Sequence, residues 1–212
     1  NSKSISAIAK GKDLFVATES NEFFILQKYH QKYRVKHQFT FDALIKSILP
    51  EGDSVVWLGT NVGLIRFHYI RKTYVVYNEK NGMANSFVYG ILPGKKNELW
   101  LSTNKGIISL DKQTKQITNH GLAVGVQGWE FNSRSFCKTK DGMLFFGGVN
   151  GLNYFHPDQL SNPNFETTVQ LTDWKVNNQS KTLAELWKEN SHLVLSPKEN
   201  NLTISFVAID VN

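Results

Sequence analysis

The chain has 212 residues, 41% of them hydrophobic and 12% aromatic, and a formal charge of +6. That apolar content supports a folded core, and the aromatic share suits an all-β fold. No apolar run reaches the length of a membrane span, no signal-peptide pattern is present, and the single Cys137 excludes an internal disulfide.

Four stretches of the chain echo one another. "DLFVATESN" places Phe15, "VVWLGTNVG" Trp57, "ELWLSTNKG" Trp100 and "MLFFGGVNG" Phe145, at spacings of 42, 43 and 45 residues. Three residues after each aromatic comes Thr18, Thr60, Thr103 or Gly148. Three further on stands Asn21, Gly63, Gly106 or Gly151, residues that tolerate the positive φ of a tight hairpin turn. Apolar stretches upstream, "ISAIAKGKD", "IKSILPEGD", "VYGILPGKKN" and "SRSFCKTKDG", each lead through a polar turn into the aromatic strand. Strands are predicted at 44–49, 54–60, 63–69 and 73–77 in the second unit, and at 86–92, 98–103, 106–110 and 115–119 in the third. A period of about 40–50 residues with four short strands is the signature of a β-propeller blade.

Residues 1–160 therefore read as a partial β-propeller of about four blades, with Trp57 and Trp100 packed between blades. Natural rings hold roughly four to eight blades. The outer edges are expected to be covered by sequence outside this chain, by its own 167–212 segment, or by another chain. Cys137 is expected to pack as a small apolar residue.

Beyond "GLNYFHPDQLSNPNFET" the pattern changes, and Pro157 and Pro163 flank a polar linker. From Thr167, "TTVQLTDWKVNNQSKTL" and "SHLVLSPKENNLTISFVAIDVN" give strand–turn–strand patterns. "NLTISFVAID" alternates Leu202, Ile204 and Phe206 against Thr203 and Ser205, as a half-buried strand does. Residues 161–212 read as a linker and the opening of an incomplete β-sandwich, with Trp174 and Trp187 as core or interface residues. Little helix is predicted. The best candidate is "TLAELWKEN" (182–190), where Leu183, Leu186 and Trp187 share a face. The chain opens on Asn1 without an initiator Met and is expected to be an excised piece or mature fragment of a longer protein.

Together these stretches resemble the extracytoplasmic sensor region of the hybrid two-component regulators of gut Bacteroidetes. "VVWLGTNVGLIRF" and "ELWLSTNKGIISLD" look like their propeller repeats. "GVQGWEFNSRSFCKTKDGMLFFGGVNGLNYFHPDQL" looks like the last repeat, and "LTDWKVNN" through "NLTISFVAID" like the start of the Ig-like triple-tyrosine (Y_Y_Y) module. One departure is Gly128-Trp129-Glu130, where the family commonly has Asn before the Glu. The resemblance implies a periplasmic sensor, anchored in the inner membrane through its full-length protein. It further implies a homodimer that detects an oligosaccharide and controls polysaccharide-utilisation genes through a histidine kinase and phosphorelay.

The residues themselves show no catalytic constellation, so this fragment is not expected to be an enzyme or to need a cofactor. None of His30, His37, His68, His120, His156 and His192 has zinc-ligand spacing, and no metal site is expected. Lys and Arg are scattered, without a run that would bind nucleic acid; the positive charge favours an acidic glycan. The candidate ligand-binding stretch is "HGLAVGVQGWEFNSRSF" (120–136), carrying His120, Gln127, Trp129, Glu130, Asn132 and Arg134. Trp faces stack on sugar rings, Asn and Glu bond to hydroxyls, and Arg forks onto carboxylate or sulfate. A competing reading has Trp129 and Phe131 plugging the core while Glu130 and Arg134 pair locally. Two other functions fit the same fold: a protein-binding scaffold, and a polysaccharide-active enzyme using two carboxylates such as Asp111 and Glu130.

Overall fold

A computed structural model describes residues 4–122, 125–158, 168–180, 187–188, 192–193 and 195–209. The chain divides into two compact units, Asn1–Ser161 and Asn162–Asn212. The first is a series of antiparallel sheets in which consecutive strands pair with their neighbours. Sheet 1 comprises β1 (Ile5–Lys10), β2 (Leu14–Thr18), β3 (Glu22–Tyr29) and β4 (Lys32–Thr40). Sheet 2 comprises β5 (Ile45–Glu51), β6 (Val55–Thr60), β7 (Gly63–His68) and β8 (Thr73–Tyr77). Sheet 3 comprises β9 (Val88–Pro93), β10 (Glu98–Thr103), β11 (Gly106–Asp111) and β12 (Ile117–His120). Sheet 4 has three strands among the described residues, β13 (Phe131–Lys138), β14 (Leu144–Gly148) and β15 (Gly151–Phe155).

The repeat is present as register. Trp57 pairs with Leu49 and Arg66, Trp100 with Leu92 and Ser109, Phe145 with Cys137 and Tyr154, and Phe15 with Ala9 and Ile25. Each aromatic thus sits at the same place in the second strand of its sheet. The threonine three residues on closes the following hairpin. Thr60 Oγ1 donates to the Gly63 carbonyl at 2.7 Å and accepts from the Val62 N–H at 3.1 Å. Thr103 repeats this with Gly106 and Lys105, at 2.9 and 3.0 Å. Gly63 and Gly106 stand at φ +140° and +89°, where a Cβ would meet the carbonyl of Tyr77 or His120. Asn21, at φ 62°, serves the longer first hairpin.

Side-chain alternation along the second strands feeds two cores at once. In β6, Val56 and Leu58 face sheet 1, among Phe15, Phe23, Ile25 and Phe41. Trp57, between them, faces sheet 3 and packs with Val88, Leu99 and Leu101. In β10, Leu99 and Leu101 face back while Trp100 faces Phe131, Leu144 and Phe146 of sheet 4. A strand buried on both faces loses the polar–apolar alternation, which is why "VVWL" and "LWL" read as continuous apolar runs. The first strands also meet: β1 lies beside β5, β5 beside β9, and β9 beside β13. Arg134 of β13 reaches the Ile5 carbonyl of β1 at 3.2 Å.

Phe145 keeps the register but not the burial. It is half-exposed and stacks on Tyr154 at 5.8 Å. Cys137 pairs with Phe145 and is exposed; the expectation that it packs inside is wrong, because it shares the face on which Phe145 is itself only half-covered.

In the second unit, β16 (Thr168–Val176) pairs with β17 (Gln179–Ser180) and with β20 (Leu202–Ile209); β18 (Trp187–Lys188) pairs with β19 (His192–Leu193). Asn177 and Asn178, at φ 50° and 64°, make the turn after β16, as a two-residue hairpin prefers. Val176 is buried against Leu195 and Leu202. The half-buried alternation expected of β20 does not extend along it: Ile204 and Phe206 are exposed. The helix expected at 182–190 is absent at Trp187–Lys188, which forms a strand; residues 182–186 and 189–190 lie outside the described residues, as do the side chains of Trp174 and Trp187. A 3₁₀ turn, Glu79–Asn81, is capped by Asn78.

The shared register with unequal burial predicts unequal costs. Trp57→Ala removes a ring that is 1% exposed and lowers the unfolding free energy by about 3–5 kcal/mol. Tyr154→Ala, on the open face, changes it by under about 0.5 kcal/mol. Urea unfolding followed by circular dichroism checks both.

Candidate functional site

The connection from β12 to β13 is pinned to two neighbouring hairpins. The Gly106 N–H donates to the Trp129 carbonyl at 2.9 Å, and the Val149 N–H to the Glu130 carbonyl at 3.2 Å. Gln127 is the hub. Its N–H donates to Asn153 Oδ1 at 2.9 Å, its Oε1 accepts from the Asn150 N–H at 2.8 Å, and its Nε2 donates to the Glu130 carbonyl at 3.3 Å. Asn153 Nδ2 completes the set by donating to the Gly125 carbonyl at 3.0 Å. Gln127 is therefore committed to holding the loop. Trp129 is 51% exposed, with the edge of its ring over Gly121. It does not plug the core; the adjoining Phe131 does, at the other end of the alternation.

Beneath this loop lies a cavity of about 220 Å³, lined by Trp100, Ile107, His120, Val126, Tyr154 and Phe155. His120 stacks on Trp100 with ring centroids 4.9 Å apart, and its Nε2 lies 3.0 Å from Ser109 Oγ. Burial pushes its imidazole below the ordinary value, with Glu98 opposing weakly, so it is neutral at pH 7. Trp100 Nε1 is buried without a hydrogen-bond partner. Its register equivalent, Trp57 Nε1, donates to Glu51 at 2.8 Å. Gly94 occupies the place of Glu51 in sheet 3, and an indole N–H is left orphaned. The sequence motif, which aligns both Trp residues, carries no sign of this difference until the strand before each is aligned as well.

Arg134 lies elsewhere. It sits in the irregular stretch of β13 between Phe131 and Phe136, at φ 62°. It lines a second cavity, of about 350 Å³, among the first strands, with Ile5, Ile8, Lys46 and Phe136. Among the described residues no ion pair joins it to Glu130. Glu130 and Asn132 are exposed. The six candidate residues thus divide: His120 lines one cavity and Arg134 another, Gln127 is structural, and Trp129, Glu130 and Asn132 present side chains to solvent.

The carboxylate pair Asp111 and Glu130 does not make a glycosidase site. Glu130 is tied near Gly106, at the start of β11, and Asp111 ends that strand. From Gly106, bonded to the neighbouring Trp129, the strand runs about 17 Å to Asp111, which sets the two residues at opposite ends of β11, whereas glycoside hydrolysis uses carboxyls roughly 5–9.5 Å apart. Asp111 instead accepts the N–H groups of Gln113 and Thr114, at 2.8 and 2.7 Å. Among the described residues no group of three or more His, Cys, Asp or Glu could hold a metal ion.

Sheet after sheet of the same register, with variable loops at the strand ends, defines an all-β repeat scaffold built of antiparallel sheets. The chain resembles the extracellular domain described as the hybrid two-component system BT3049 of B. thetaiotaomicron, with a TM-score of 0.72 and 22% identity over 96% of this chain and 29% of that one. It is 29% identical over 164 residues to the "Histidine kinase P4" of Formosa agariphila, covering 77% of this chain and 9% of that protein. The β-propeller domain of Myceliophthora thermophila Cps50 (Swd1) aligns with a TM-score of 0.54 at 13% identity, covering 75% of this chain and 54% of that one. No family profile matches the chain. The chain thus spans less than a third of the first and under a tenth of the second.

The depressed His120 value sets a pH dependence. The folded state holds the neutral ring, so its stabilising contribution is full above pH 6.5, the ordinary value, and falls as pH drops through the lower folded value. Chemical unfolding at pH 7.5 and 5 should show this loss, and His120→Gln should remove that part of it.

Proposed function

We propose that this chain is an extracytoplasmic, ligand-sensing part of a hybrid two-component regulator. Its four sheets are blades of a β-propeller, and residues 161–212 open an Ig-like module. The observation that carries this reading is the coincidence of two independent likenesses over most of the chain. One is of fold, to the extracellular domain of a hybrid two-component system; the other is of sequence, to a histidine kinase. The gathering of β1, β5, β9 and β13 supports the radial arrangement, since first strands converge on the axis of such a wheel. The open face of sheet 4 fits as well, because each earlier sheet buries that face under its successor.

The signal on this reading is an oligosaccharide in the periplasm. Trp129 offers an exposed aromatic face held on a pinned loop, with Glu130 and Asn132 beside it for hydroxyls and His120 and Arg134 on the flanking cavities. Binding shifts the packing of two sensor copies and, through the Ig-like module and a membrane anchor, a phosphorelay that controls polysaccharide-utilisation genes. A ligand drives this only through differential affinity for two arrangements. The fragment itself performs no chemistry.

The full reading frame tests the class: a membrane helix followed by kinase and receiver sequence is expected, and their absence would sink the assignment. Calorimetry of the intact protein against an oligosaccharide panel tests the site. Trp129→Ala should weaken the best ligand about tenfold, or ~1.4 kcal/mol, with unfolding unchanged. Unaltered affinity removes Trp129 from the site.

A further inference from the structure

The internal repeat allows each junction between sheets to serve as a control for the others. At the end of the sheets opposite the β12–β13 loop, the junction of sheets 2 and 3 holds an open groove of about 380 Å³. Arg66, Lys112 and Lys115 line it, with the amides of Asn97 and Gln113, the Tyr77 ring and one carboxylate, Glu51. Strand register gives the equivalent positions at the other junctions. Between sheets 1 and 2, Glu51, Arg66, Lys112 and Gln113 correspond to Gly11, Ile25, Tyr69 and Ile70. Between sheets 3 and 4 they correspond to Gly94, Ser109, Pro157 and Asp158. The turns themselves match: Arg71 N–H bonds to His68 Nδ1 as Thr114 N–H bonds to Asp111, and Lys72 and Lys115 share a left-handed conformation.

The fold therefore builds this junction twice without the Glu51, Arg66 and Lys112 charges, although Lys72 keeps the place of Lys115 at the first junction. At the first junction Tyr69 fills the space, buried and bonded through its hydroxyl to the Asp53 carbonyl. At the second, Lys112 stands in its place and pairs with Glu51. Glu51 also accepts the Trp57 indole N–H. Burial opposes its ionisation, but the hydrogen bonds from Lys112 and Trp57 outweigh this and hold the carboxyl below its ordinary value. Arg66 sits over the Trp57 ring, 5.8 Å from its centroid. Asn97 Nδ2 donates to Gln113 Oε1 at 3.0 Å, which orients both amides at the rim. After Glu51 neutralises one cation, two positive charges remain in a concave site with oriented polar groups.

Resting on the oligosaccharide-sensing reading for the sugar, we propose that this groove binds the anionic substituent, carboxylate or sulfate, of a carbohydrate. Arg66 supplies a planar fork for the anion, Lys115 adds charge, and the Asn97 and Gln113 amides with the Tyr77 hydroxyl meet neighbouring sugar hydroxyls. The site is separate from the Trp129 loop and does not depend on it.

The repeat also supplies the variant. Arg66→Ser installs the residue that sheet 3 carries at this position, Ser109, and Lys115→Gln provides a second variant away from the sheet. The intact protein is titrated with trigalacturonate, with a sulfated galactose tetrasaccharide and with maltotriose. At least one acidic probe is expected to bind, more weakly at high salt, with Arg66→Ser and Lys115→Gln each weakening it tenfold or more and Lys72→Gln, at the matching turn of the first junction, leaving it unchanged. Which acidic probe binds identifies carboxylate or sulfate. Failure of both acidic probes, equal affinity in both groove variants, or maltotriose binding with the same Arg66 dependence would overturn the proposal. Loss of acidic-probe binding in Trp129→Ala alone would assign that binding to the loop and also overturn it.

Discussion

Burial of the second strands of sheets 1, 2 and 3 on both of their faces is the constraint on which the first unit depends. β6 sends Val56 and Leu58 one way and Trp57 the other, and β10 repeats the arrangement with Leu99, Leu101 and Trp100. Each residue of such a strand is committed to one of two neighbours, so the sheets cannot be exchanged or shifted by one residue without turning every side chain to the wrong core. Fully burying an aromatic or aliphatic side chain stabilises by about 1.5–3 kcal/mol. The stack is therefore held by a line of such burials rather than by a single central core. Polar groups in these strands are confined to the ends, where Thr60 and Thr103 bond back to their own hairpins.

That constraint explains where variation is permitted. A residue facing a neighbouring sheet must match its volume, because interiors are close-packed. A residue at a strand end or turn need only let the chain reverse. Trp57 and Trp100 illustrate the boundary. Both rings are buried at the same register, yet one indole N–H meets Glu51 and the other meets nothing, since the partner position lies at the first strand's end and is Glu in one sheet and Gly in the next. The burial of the ring is strongly constrained; the satisfaction of its polar atom is left to local circumstance, at a cost of about 1–3 kcal/mol for an unmade buried bond.

The sheets of the first unit were legible in sequence because the constraint imposes a period. An aromatic, a threonine three residues on and a turn residue three further recur with nearly constant spacing, and the strands of sheets 2 and 3 lie within two residues of their predicted limits. What was not legible depends on neighbours that sequence does not display. Phe145 carries the motif but is only half-covered, and Cys137, its partner across the strand pair, is exposed. Phe206 alternates as a half-buried residue should, yet its face has no cover among the described residues. Trp187 belongs to an apolar pattern with helical spacing, but β-pairing with Leu193 overrides that pattern. The candidate site dispersed for a related reason. His120 and Arg134 are 14 residues apart in sequence, but a pinned loop and an irregular strand lie between them, and the first ends at the rim of sheet 3 while the second turns toward the first strands.

The division of labour between core and turns also limits how a signal can pass through this unit. Close-packed cores are bistable rather than continuously deformable, so a bound ligand acts on the relation between sheets more readily than on the inside of one. The Lys112–Glu51 pair spans such a relation: Lys112 belongs to the turn after β11, Glu51 to the end of β5, and Glu51 holds the indole that packs the two sheets together. In the proposed groove an anion seated beside Lys112 competes with Glu51 for that cation, and Glu51 is the carboxylate that also accepts the Trp57 indole N–H. Occupancy of the groove and the packing of sheet 2 on sheet 3 are then linked through one carboxylate. By reciprocity, any change in that packing must alter affinity at the groove to the same degree.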